Sequence, residues 1–257
     1  MKPLVLLPLL LALSACATAG KPSGMLSSYD GLVTRDGAVR TAVSRRRDDA
    51  ALAAVQRVAL QPAVLADGPD TAWLSPAERT LLLREIDAQV CFEVSERYAI
   101  TADPARAQGQ VRTIVTRAAP TGRFGSAASA AAGFFLPGPI GLRVPGGLGG
   151  LGAEAELIGA DQRQLAALVW NRTATAVGTD NPSLSRIGDA LQLAEPFGDA
   201  AGAAMTAKDV KPRGVDKPDP CAAYGPRFRP EGFLAKMATG LYVPQMSGAR
   251  ELAAPAP

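Results

Sequence analysis

The chain has 257 residues, enough for one domain with extensions, and its 47% apolar content against 5% aromatics means that alanine dominates the apolar count. A net charge of +3 is too weak to argue for nucleic acid. There is no histidine, which removes Ser–His and Cys–His nucleophile pairs and every histidine-bearing metal site.

The chain opens on Lys2, an apolar run from Pro3 to Leu13, and the small residues Ser14 and Ala15 before Cys16. This is the anatomy of a signal peptide over residues 1–15. The run is too short to span a bilayer, which takes about 20 apolar residues. Leu13-Ser14-Ala15-Cys16 resembles a bacterial lipobox, which implies lipidation of Cys16 by three acyl chains. Each buried methylene adds about 0.8 kcal/mol, so three chains anchor stably. Ala17 stands where lipoproteins kept in the inner membrane often carry aspartate. The resemblance therefore implies an outer-membrane lipoprotein facing the periplasm.

Residues 16–47 read as the lipidated N-terminus and a polar tether, punctuated by Gly24, Gly31 and Gly37. Within it Met25, Leu26, Tyr29 and Leu32 supply an apolar edge for the domain. Arg45-Arg46-Arg47 is followed by Asp48-Asp49, so the cluster is locally compensated and reads as a solvated face or loop. A domain is expected over 48–205. Val55 to Leu65 is its first strand candidate, with Pro62 limiting it to an edge, an end or a bulge, and Asp67-Gly68-Pro69-Asp70 as a turn. Ser75-Pro76-Ala77-Glu78 predicts a helix start with a capping box and proline in the first turn. Leu82, Ile86, Val90 and Val94 then recur every four residues, so the helix should run to about Tyr98. Gln110 to Ala118 alternates as a β-branched strand, with Val111, Thr113, Val115 and Arg117 on one face.

Ala153 to Ile158 and Gln164 to Thr175 flank residues 159–163 as a hairpin. Leu184 to Met205 has helical spacing, with Pro196 expected to kink or divide it. Residues 206–257 carry Pro212, Pro218, Pro220, Pro226, Pro230 and Pro244 without a sustained period and read as a tail. The expected class is α+β: a small, mostly antiparallel sheet with two main helices on one face, a Gly/Ala-rich insertion and a Pro-rich C-terminal tail. Cys91 and Cys221 remain in an oxidising compartment. A bridge between them would contribute at most about 4–5 kcal/mol; alternatively Cys91 is a small core residue on the first helix.

Three stretches carry a resemblance: Gly24-Met25-Leu26-Ser27-Ser28-Tyr29, Leu74-Ser75-Pro76-Ala77-Glu78, and Gly152-Ala153-Glu154-Ala155-Glu156-Leu157-Ile158. Together they make the run from Ser23 to about Met205 similar to the DUF3313 family of bacterial lipoproteins, whose function is uncharacterised. The chain departs from that family at its hairpin turn, which lacks the usual glycine, and in its proline-rich tail. The resemblance implies architecture and localisation, and no chemistry.

The insertion 122–152 has no charged residue between Arg123 and Arg143. Gly125, Ser129 and Gly133 lie four apart in small-residue helix material. Phe134, Phe135, Leu136, Ile140 and Leu142 form an apolar stretch that covers a thin core or contacts a partner or lipid; Pro137 and Pro139 oppose a straight spanning helix. Gly147-Leu148-Gly149-Gly150-Leu151-Gly152 matches G-x-G-x-x-G, but no strand precedes it and no helix follows, so it reads as a flexible hinge.

Glu154 and Glu156 share a strand face opposite Ala153, Ala155 and Leu157, and read as the wet side of the sheet rather than a hydrolytic pair. No catalytic residue, metal site or cofactor is expected. The leading expectation is a non-catalytic, periplasm-facing interaction domain for envelope assembly, transport or maintenance, bound to the membrane through Cys16 and to an envelope protein partner, without nucleic acid. The alternative is a membrane-active protein whose 122–152 segment inserts into lipid; an envelope hydrolase using Glu154 and Glu156 is the third.

Overall fold

The computed structural model describes residues 20–38, 41–135, 141–143, 147–175, 177–178 and 180–249. In chain order the elements are β1 (Val33–Ala38), β2 (Thr41–Arg47), α1 (Asp49–Ala53), β3 (Arg57–Leu60), β4 (Val64–Leu65), α2 (Pro69–Ala72), α3 (Pro76–Ser95), β5 (Ala99–Ile100) and β6 (Gly109–Ala119). They continue with α4 (Arg123–Phe135), β7 (Gly141–Leu142), β8 (Gly150–Gly159), β9 (Gln164–Thr173), β10 (Val177–Gly178), α5 (Gly188–Gln192), α6 (Ala194–Ala204), α7 (Pro230–Thr239) and α8 (Pro244–Ser247).

The class is α+β, as expected. One sheet runs β1-β2-β9-β8-β6-β3-β5, with β4 also paired to β6. The long pairings β2·β9, β9·β8 and β8·β6 are antiparallel, and the short β3, β4 and β5 add in parallel. Pro62 lies between β3 and β4 and splits what would be one strand into two, because it cannot donate to the ladder.

Helix α3 forms where its capping box lies: the Glu78 amide donates to Ser75 Oγ and the Ser75 amide donates back to Glu78. Its Leu82, Ile86, Val90 and Val94 are buried with Val111, Val115, Leu157, Leu168 and Trp170 of the sheet. In β6 the register shifts between Val115 and Arg117, so Ala118 rather than the expected Arg117 joins this core. The second helical region divides at Leu193, and Pro196 falls in the first turn of α6, where its missing N–H leaves no bond unmade. Phe197 then meets Trp170 edge-on at 5.7 Å. Helices α3 and α6 approach closely through glycines: a Cβ on Gly198 would sit 2.9 Å from the Gln89 backbone, and one on Gly202 2.9 Å from Glu93 Cβ.

Two segments differ from expectation. The stretch read as tether contributes β1 and β2, and β2 pairs with β9 from Thr41↔Arg172 to Arg47↔Ala166. Arg45-Arg46-Arg47 is thus a half-buried strand end, not a solvated face: Arg46 donates to the Gln164 carbonyl and side chain, and Arg47 pairs with Asp49. The stretch read as tail contains α7 and α8, each opened by a proline in its first turn. It is tied to α3 by the Cys91–Cys221 disulfide, around which Ala88, Phe92 and Ala249 pack. Prolines at these positions start helices instead of marking loss of structure.

Candidate functional site

Alternation along β8 sends Ala153, Ala155 and Leu157 into the helix-covered core and Glu154 and Glu156 to the opposite face. That face is not wet. Glu154 is 1% exposed and Glu156 0%, because residues 23–29 cross over them. Ser23 donates to Glu154 from its amide (2.9 Å) and its hydroxyl (2.6 Å), and the Tyr29 hydroxyl donates at 2.7 Å. Glu156 accepts from the Ser27 amide (2.9 Å) and hydroxyl (3.2 Å), from Arg112 Nη1 (2.9 Å) and from Gln164 Nε2 (2.7 Å).

The covering segment is itself closed around one atom. Tyr29 Oη accepts from the amides of Gly24 (2.9 Å) and Leu26 (3.2 Å) while donating to Glu154. Gly24 takes φ +80°, a conformation that side chains rarely adopt. Leu26 is buried with Ala66, Ile114, Ala167 and Val169, so the apolar edge expected here does dock. Buried carboxylates are costly unless hydrogen-bonded, and here seven donors surround two of them. Such a site locks one segment onto a sheet, and it leaves no room between the carboxylates and the donors for a sugar or a water nucleophile.

The start of β8 is held from the other side. Arg143 and Asp189 form a buried two-pronged ion pair at 2.6 and 3.0 Å, the Gly149 amide donates to Asp189 at 2.7 Å, and the Asp189 amide donates to Thr121 at 2.9 Å. The Gly122 amide also donates to the Gly147 carbonyl at 2.8 Å. The glycine run is therefore not a hinge. Its glycines permit close approach: a Cβ on Gly149 would meet the Ala119 carbonyl at 2.7 Å. Its Gly149 amide is engaged by a protein carboxylate, and Gly150–Gly152 begin β8.

A third feature is a cleft of about 530 Å³ between α6 and the α7–α8 region. Glu195, Asp199 and Lys236 line it together with Glu85, Arg229 and Tyr242. Burial, then the nearby Glu85 carboxylate, push the Tyr242 phenol above its ordinary range. Among the described residues no group of His, Cys, Asp or Glu is placed to hold a metal ion.

Of the residues singled out in the sequence, Cys16, Leu136 and Ile140 lie outside the described residues. Phe134 and Phe135 fall in α4 and Leu142 in β7, but their side chains lie outside the description. Cys91 and Cys221 are joined, with Cα atoms 5.9 Å apart. Sequence reasoning had Glu154 and Glu156 on the right face and their surroundings wrong. It did not find Ser23, Ser27 or Arg112 as their partners, or Arg229 at all. The signal present for the first group was the compact Ser23-Gly24…Tyr29 turn beside buried Leu26.

No curated protein matches the sequence. Among solved structures, the chain is similar to two forms of the PelC dodecamer from Paraburkholderia phytofirmans, at 12% identity and TM-scores of 0.39 and 0.38. It is also similar to a DUF4136 family protein from Bacteroides thetaiotaomicron, at 12% identity and a TM-score of 0.34. Each comparison covers 66% of this chain and 99% of the other. Residues 21–201, which contain the carboxylate lock, all of α3 and most of α6, match the family described as a protein of unknown function, DUF3313, and the chain belongs to that family.

Proposed function

We propose that this chain is an outer-membrane lipoprotein, anchored through Cys16, whose domain is a non-catalytic interaction module on the periplasmic side, serving envelope assembly, transport or maintenance. The observation that carries the interaction reading is an uncovered apolar face. Phe233, Leu234 and Met237 lie on one side of α7, with Phe228 just before it, and all four are exposed. Such surfaces usually meet a partner. The carboxylate pair that a hydrolase would need is sealed by Ser23, Ser27 and Tyr29 instead of opening on a cleft.

Docking of Ser23 also bears on the anchor. Seven residue steps separate Cys16 from Ser23, a reach of about 25 Å at full extension. A Cys16 anchor would then hold the domain against the membrane surface, where α7 and the 122–152 insertion meet other membrane-bound proteins.

The alternative, insertion of 122–152 into lipid, has Phe124 in its favour, which is 94% exposed at the start of α4. Among the described residues no helix is long and apolar enough to cross a membrane. A photoreactive residue placed in cells at Phe134, Phe135, Ile140, Leu142, Phe233 and Met237 in turn separates the readings. Discrete protein crosslinks are expected. Crosslinks to lipid alone favour the membrane-active reading, and none at any position contradicts an interaction module.

A further inference from the structure

Helix α4 has the polarity of a helix that does not face water. Ser126 and Ser129 are sealed at 2% and 3% exposure, while Phe124 is 94% exposed and Ala127 and Ala128 are exposed beside it. Ser129 Oγ donates to the Gly125 carbonyl at 2.6 Å, and Ser126 Oγ has no hydrogen-bond partner. An amphipathic helix on a water-facing surface turns its apolar stripe to the core and its polar residues outward. In α4 the order is reversed, and after Arg123 the helix carries no charged residue.

The chain that leads to Cys16 leaves the domain at the same end of the sheet. It tracks along β8: Ser27 is held by Glu156, Ser23 by Glu154, and Gly20 lies against Asn171, where a Cβ would fall 1.8 Å from Nδ2. Asn171 pairs with Gly152, and Gly152 with Arg117, in one row across β9, β8 and β6. At ordinary strand spacing that row is about 10 Å wide. β6 ends at Ala119, just past the row, and α4 begins at Arg123. Four residue steps separate Gly20 from Cys16, a reach of about 14 Å at full extension. An acylated Cys16 would therefore bring its membrane to the end of the sheet that carries α4.

We propose that α4 is a second membrane contact, lying in the plane of the bilayer that holds Cys16 with Phe124, Ala127 and Ala128 in the interfacial layer. This rests on the proposed Cys16 anchor and leaves α7 for a protein partner. The 13 residues of α4 extend about 20 Å, short of the roughly 30 Å hydrocarbon core, so the helix does not cross. An in-plane helix buries its apolar side about 5–10 Å below the head groups. A tether alone leaves a domain free to rotate over the membrane; a helix seated beside it fixes one end of the sheet toward lipid.

The test uses the acylated full chain bound to vesicles of phosphatidylethanolamine and phosphatidylglycerol. A nitrobenzoxadiazole fluorophore is placed on Phe124→Cys and, in a separate protein, on Phe233→Cys; both side chains are exposed, so neither change disturbs the core. The label at 124 is expected to shift to the blue and to be quenched by lipids with a nitroxide near the head group, more than by lipids with one near the chain end. The label at 233 should stay in water. An unquenched label at 124, or equal quenching at 233, would overturn the assignment. So would a photoreactive residue at 124 that crosslinks in cells to a discrete protein instead of lipid. Flotation of the same proteins separates the two claims. Failure to float with the vesicles removes the Cys16 anchor and the seating of α4 with it, whereas flotation with an unquenched label at 124 removes the seating alone.

Discussion

Tyr29 and Glu154 are 125 residues apart in sequence and 2.7 Å apart in space, joined by a hydrogen bond from phenol to carboxylate. That contact turns a segment that looks like linker into a cover for the central strand of the sheet. Its companion is Glu156, held from the same segment by Ser27 and from the sheet by Arg112 and Gln164.

Glu154→Ala and Glu156→Ala should each act on stability. Removing either carboxylate strands buried donors, so each substitution is expected to cost about 2–4 kcal/mol in denaturant unfolding. Hydrogen exchange at the amides of Ser23 and Ser27, which donate to these carboxylates, should quicken. Unchanged stability in both variants would mean that the face is open to water.

Stability should fall as pH rises between about 4 and 7. Desolvation pushes Asp87 up to about 6, against an unperturbed 3.8, although its carboxylate accepts from the Ala63 amide. Between those values the folded state binds more protons than the unfolded state, so the contribution is fully present below the unfolded pKa and is lost as pH passes the folded one. The shift corresponds to at most about 3 kcal/mol. Asp87→Asn should flatten the slope of unfolding free energy against pH in that window, and an unaltered slope would contradict the assignment.

Reducing the Cys91–Cys221 bridge should cost about 2–5 kcal/mol, since it closes a loop with a sequence separation of 130 residues. The loss should be local first. Exchange should quicken in α7 and α8 before α3, because the bridge is a covalent tie between the segment that carries those two short helices and the long, sheet-packed α3.

The hairpin turn offers a gain. Gln162 takes φ 64°, in the left-handed region that favours glycine. Gln162→Gly should therefore raise stability by about 0.5–1 kcal/mol, the relief of backbone strain exceeding the added freedom of the unfolded chain. Thermal unfolding midpoints of the two proteins provide the measurement.

What was legible in the sequence was local. Ser75 and Glu78 cap α3 through atoms three residues apart, and the Leu82-Ile86-Val90-Val94 spacing needs only a helix to make a face. Alternation placed Glu154 and Glu156 on a common face, but alternation cannot say what lies over that face. The cover comes from Ser23, Ser27 and Tyr29, and a strand pattern carries no record of residues so far away. β2 was hidden by Arg45-Arg46-Arg47, whose charges are met by partners such as Gln164 and Asp49 rather than by water. The C-terminal helices were hidden by Pro230 and Pro244, which break a helix in its interior and favour it in the first turn. The Arg229 cleft assembles three distant segments, so no local pattern announces it.

Seating of Ser23–Tyr29 on β8 is the relationship from which the sealed carboxylates and the short reach to Cys16 both follow. A double-mutant cycle on Tyr29→Phe and Glu154→Gln, read by denaturant unfolding of the full chain, measures it directly. A coupling of about 1–3 kcal/mol is predicted, as for a buried hydrogen bond to a charged group. Additive effects, with no coupling beyond about 0.3 kcal/mol, would contradict it and return residues 23–29 to the role of a tether.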